Sequence, residues 1–131
     1  MKQHSTNYYN TFIQVAQDCP AIEGTVPPGG EPTSAIRLMY EMLADNPYQH
    51  TSDDVLYAAN GARRGITRED FFVKGQPCLQ AAALGKRYGW GLHLDAQGKA
   101  ALYGVETPEY QRLKDDNTLT QLHAMRSAKK K

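Results

Sequence analysis

Two cysteines and four histidines are the first residues in this chain that could carry out chemistry. Metal binding needs ligands at short, regular intervals. His4, His50, His93 and His123 stand far apart, and no CxxC or HxxxH pattern occurs, so no metal site is expected. Cys78 could act as a nucleophile with His93 as its base. That requires a thiol whose pKa is lowered by a nearby cation or a helix N-terminus, and sequence alone cannot bring Lys74 or Lys86 beside it. Burial between Pro77 and Leu79 suits a cysteine equally well. No residue is therefore assigned a catalytic role, no cofactor is implied, and enzymatic activity is left open.

A second group is more specific. Tyr88-Gly89-Trp90-Gly91-Leu92-His93-Leu94 alternates with period 2, as expected of a strand with one buried face. Asp95-Ala96-Gln97-Gly98 suits a turn with Gly98 in the left-handed position. Lys99 to Val105 then returns as the partner strand. This register places Leu92 opposite Leu102, His93 opposite Ala101 and Gly91 opposite Tyr103. One face carries Trp90, Leu92, Leu94 and Leu102 and belongs to the core. The other carries Gly89, Gly91, His93 and Tyr103, with Arg87 just before it. Glycines on a strand leave bare backbone, which allows close approach of a ligand or of another segment. Arg87, Gly89, Gly91, His93 and Tyr103 are therefore the candidate ligand-binding residues, with Arg87 as clamp for an anion and Tyr103 as a flat wall. The structural alternative is that a helix or loop packs there and Tyr103 covers Gly91.

The elements that must position these residues follow from local signals. Thr11 to Ala16 is β-branched and aromatic, a first strand. Prolines and glycines fill Cys19 to Thr33, a long loop. Ile36, Met39, Tyr40 and Leu43 share one face of a helix over 34–45, which Asn46-Pro47 ends. Thr51 and Asp54 have capping-box spacing for a helix over 52–64, weakened by Gly61, and Thr67 with Asp70 opens a short helix that Gly75 is placed to stop. Cys78 to Leu84 could be a strand. Thr107-Pro108 opens a final helical region over 107–126, in which Leu119, Leu122 and Met125 follow one another at helical spacing.

The 131 residues carry 15 basic and 14 acidic side chains, net +1, so no strong overall field recruits nucleic acid or a membrane surface. Residues 1–60 hold two basic and seven acidic side chains, and residues 61–131 thirteen and seven. Much of that second excess is the basic tail at 127–131, which reads as a solvated terminus dispensable for folding. No stretch is apolar enough for a signal peptide or a membrane helix. Two widely spaced cysteines suit reduced thiols in the cytoplasm.

Nearly the whole chain resembles an uncharacterised family of small bacterial cytoplasmic proteins of unknown function. The resemblance rests on Asn7-Tyr8, Asp18-Cys19-Pro20, Asn46-Pro47-Tyr48, Thr51-Ser52-Asp53-Asp54-Val55, Lys74-Gly75-Gln76-Pro77-Cys78-Leu79, Lys86-Arg87-Tyr88-Gly89-Trp90-Gly91 with His93, and Ala101-Leu102-Tyr103. It implies no activity, cofactor or catalytic residue. The expectation is one α+β domain spanning residues 1–131, with a small antiparallel sheet, the 88–105 hairpin plus one or two further strands, packed with about four helices. Its expected function is binding an anionic or planar small ligand. The alternative is a structural or interaction protein acting as a homo-oligomer.

Overall fold

The computed structural model describes residues 5–30, 33–76 and 78–125. The elements are β1 (Thr11–Gln14), α1 (Ala35–Asp45), α2 (Ser52–Asn60), α3 (Arg68–Phe71), α4 (Ala83–Lys86), β2 (Trp90–Leu94), β3 (Ala100–Gly104), α5 (Pro108–Lys114) and β4 (Thr120–His123). This is the expected α+β class, with one four-stranded sheet in the order β3-β2-β1-β4. The sheet is mixed rather than antiparallel, because β4 runs parallel to β1, from Thr11 against Thr120 to Gln14 against His123.

The hairpin has the expected register: Leu92 faces Leu102, His93 faces Ala101 and Gly91 faces Tyr103. Gly98 takes the left-handed turn position at φ 79°. Ile13 pairs with Leu92 and Phe12 with His93, so β1 extends both faces. On one face Ile13, Leu92 and Leu94 meet Met39 and Leu43 of α1 and Val55, Leu56 and Ala59 of α2 in the main core. On the other, Tyr110 of α5 stands edge-on to Phe12 with ring centroids 5.0 Å apart.

Caps place the helices where the sequence indicates. Ser34 caps α1, and Thr51 with Asp54 forms a reciprocal capping box on α2. Asp53 has a role that its cap-like position conceals. Its buried carboxylate accepts from the Thr6 N–H and hydroxyl, both at 2.7 Å, and from the Ser5 hydroxyl. It ties the N-terminal segment to α2.

Four expectations are corrected. The region 107–126 is not one helix: α5 ends at Lys114, and Thr120–His123 is β4. Asp116 Oδ1 accepts from the Thr118 N–H at 2.8 Å and its hydroxyl, reversing the chain. All four residues of β1 are buried, so its second edge needs backbone partners, which β4 supplies. Cys78 to Leu84 is not a strand but a 3-10 turn, Leu79–Ala81, followed by α4, as its alanines favour. The 52–64 helix stops at Asn60, and Ala62–Arg64 continues as a 3-10 turn after Gly61, which lies against the Tyr57 and Phe71 rings. The helix opened by Thr67 ends at Phe71, before Gly75. The basic tail lies outside the described residues. Among the described residues no helix is long and apolar enough to cross a membrane.

Candidate functional site

The hairpin face expected to hold a ligand is largely filled. A side chain at Gly91 would meet the Tyr110 ring at 2.6 Å and Phe12 at 2.8 Å, so α5 lies directly on the strand backbone. Gly89 is buried with φ 79°, and a Cβ there would collide with the Glu23 carbonyl of the long loop. The bare backbone serves packing against a helix and a loop. Arg87 caps the end of α4, outside the strand, with its side chain exposed.

His93 and Tyr103 do come together, through a residue the sequence did not single out. The Tyr48 hydroxyl lies 2.7 Å from His93 Nδ1 and 2.7 Å from the Tyr103 hydroxyl. Tyr48 reaches this position from the α1–α2 loop. Its N–H donates to the Ala100 carbonyl on the outer edge of β3, and its backbone is left-handed at φ 61°. That conformation is costly for a tyrosine, and the contacts of the loop hold it. Asn46-Pro47 indicates a turn here, but nothing in the spacing brings residue 48 to residue 93.

Burial, then the Tyr103 hydrogen bond, pushes the Tyr48 hydroxyl well above the usual phenol range. Burial holds His93 below the usual imidazole value, against the opposing charges of Asp95 and Asp116. Both shifts favour the neutral forms of Tyr48 and His93. If His93 Nδ1 accepts, Tyr48 donates to it and Tyr103 donates to Tyr48; if Nδ1 carries the proton, the chain runs the other way.

Cys78 lies on the opposite side of the sheet from His93. Its sulfur is 3.4 Å from the Tyr8 hydroxyl, and that hydrogen bond, with burial and repulsion between the ionised forms of the two groups, pushes Tyr8 up to about 12. The thiol–imidazole pair is not assembled. Cys19 and Cys78 are both free thiols. Among the described residues no group of three His, Cys, Asp or Glu side chains is placed to hold a metal.

Cys78 instead lines a pocket of about 160 Å³ with Met39, Leu56, Phe71, Ala81 and Ala82, and with the polar Asn60 and Gln76. Asn60 and Gln76 also line a wider cleft of about 430 Å³, whose other walls are Ala35, Ala59, Arg63 and Arg64. Local bonds hold three of these side chains. Gln76 Nε2 donates to the Phe71 carbonyl at 2.8 Å, Arg64 Nε to the Asn60 carbonyl, and Arg63 Nη2 to the Thr33 carbonyl just before α1. An apolar pocket with a thiol in its wall therefore adjoins a cationic cleft, with two amides between. Sequence reasoning missed this site because its walls come from four separated segments. Cys78 in the pocket wall and the adjacent arginines after α2 were its visible signals.

Fold and cleft together define a small α+β protein in which a helical layer packs on a mixed sheet and leaves one apolar pocket open beside two arginines. The chain belongs to the family of unknown function DUF6157, which it matches over residues 3–130. Neither the curated proteins nor the solved structures include a match to it.

Proposed function

We propose that this protein is a binding module for a small anionic or planar ligand, seated in the pocket between α1, α2, Gln76 and the 78–82 segment. The observation that supports this is an apolar pocket opening beside fixed polar groups, the usual make-up of a small-molecule site. A pocket of about 150 Å³ accommodates a benzene-sized group. The test is a thermal-shift screen of planar and anionic metabolites on the full chain. A ligand at a hundred times its Kd stabilises by about 2.7 kcal/mol. The expected result is a hit whose shift disappears in Ala81→Phe, which fills the pocket; hits indifferent to that change refute the site.

A homo-oligomeric interaction role is the second reading. Ile22, 87% exposed, and Val26, 49% exposed, favour it on the long loop. A concentration-independent monomer in light scattering would exclude it. We also propose that the protein acts in a bacterial cytoplasm, a reading that its two free thiols support.

A further inference from the structure

We infer that the ligand is a small ring or short acyl chain bearing one carboxylate, its apolar part in the Cys78 pocket and its carboxylate between Arg63 and Arg64. This rests on the reading of the cleft as a ligand site, and it adds the ligand's polarity and orientation. Three observations carry it. The pocket walls from Met39, Leu56, Phe71, Ala81 and Ala82 offer a ring or aliphatic chain only dispersion contacts and apolar burial. The adjoining cleft has two guanidinium groups and, among its described lining residues, no carboxylate to neutralise them. Among the described residues each guanidinium is anchored by one bond to a backbone carbonyl, Thr33 for Arg63 and Asn60 for Arg64, which leaves most of its five N–H donors for a ligand.

The polarity therefore changes along one path. Asn60 and Gln76 line both spaces, so a ligand lying across them has its apolar end on one side and its charge on the other. A planar carboxylate matches the guanidinium fork and can be held by two parallel hydrogen bonds. Ala35, the first residue of α1, lines the same cleft, and the first turn of that helix has no acidic side chain. Its amide end adds positive potential to that of the arginines.

The experiment is an NMR titration of the full chain with benzoate, phenyl phosphate and neutral benzyl alcohol. It uses the wild type, Arg63→Gln, Arg64→Gln and Ala81→Phe. Benzoate should bind about tenfold or more tightly than benzyl alcohol, as charged hydrogen bonds predict. Either glutamine variant should remove most of that advantage while benzyl alcohol binds as before, which also shows that the pocket is intact. Ala81→Phe should abolish binding of both. Equal binding of benzoate and benzyl alcohol, or benzoate binding unchanged in the glutamine variants, overturns the carboxylate assignment and leaves the pocket standing. Tighter binding of phenyl phosphate than of benzoate also overturns it. No binding by the wild type, or binding indifferent to Ala81→Phe, removes the site itself.

Discussion

On one side of the sheet, Tyr110 covers Gly91, the Glu23 carbonyl closes over Gly89, and the Tyr48 hydroxyl bonds to both His93 and Tyr103. On the other side, α1, α2 and the 78–82 segment meet incompletely, and Asn60, Gln76, Arg63 and Arg64 line the opening. Both regions contain titratable or hydrogen-bonding groups beside apolar surface. They differ in whether those groups are already satisfied. A polar group bonded within the protein must lose that bond before it can hold a ligand, whereas an anchored arginine with unused donors need not.

If that contrast holds, bulk added to the sealed face should cost far more than bulk added to the pocket. Gly89→Ala combines a left-handed backbone with a collision against main chain. It should destabilise by about 2–4 kcal/mol in urea unfolding. Gly91→Ala drives a methyl into Tyr110 and should cost about 1–3 kcal/mol. Ala81→Phe, by contrast, should cost less than about 1 kcal/mol, because its ring enters space already open. Equal losses at all three positions would erase the distinction.

The hydrogen-bonded cluster gives a sharper test. Tyr48→Phe removes the central hydroxyl and leaves His93 and Tyr103 each short of a partner, a loss of about 1–2 kcal/mol. Probe binding in the pocket should be unaffected, since the cluster lies across the sheet. A change in ligand affinity would show that the two regions are coupled.

The smallest effect is on pH. Burial holds folded His93 below its reference value of 6.5, so the unfolded chain takes up the proton first. The stability this group contributes is complete above pH 6.5 and declines as pH falls through the lower folded value. Asp54 acts in a different window. Burial raises its pKa, but the Thr51 N–H and Arg68 hold the net value below 3.8, so its contribution is lost only in stronger acid. Unfolding midpoints measured from pH 7.5 to 5 should fall in the wild type and flatten in His93→Gln. An unchanged slope would show that His93 is not buried as described.

What the sequence determined by itself were the features set by near neighbours. The period-2 pattern from Tyr88 to Leu94 and the Asp95–Gly98 turn established the hairpin register, because a slip of one residue would turn Leu92 and Leu94 toward the wrong face. The capping oxygens of Thr51, Thr67 and Thr107 marked helix starts, because each bonds an N–H within three residues. Tertiary structure decided the rest. Leu119, Leu122 and Met125 are spaced for a helix, yet the open edge of buried β1 draws Thr120–His123 into a parallel strand. Tyr48 meets His93 across 45 residues, and the pocket collects Met39, Leu56, Phe71 and Cys78 from four segments. Such meetings depend on how whole elements pack, and local spacing carries no record of that.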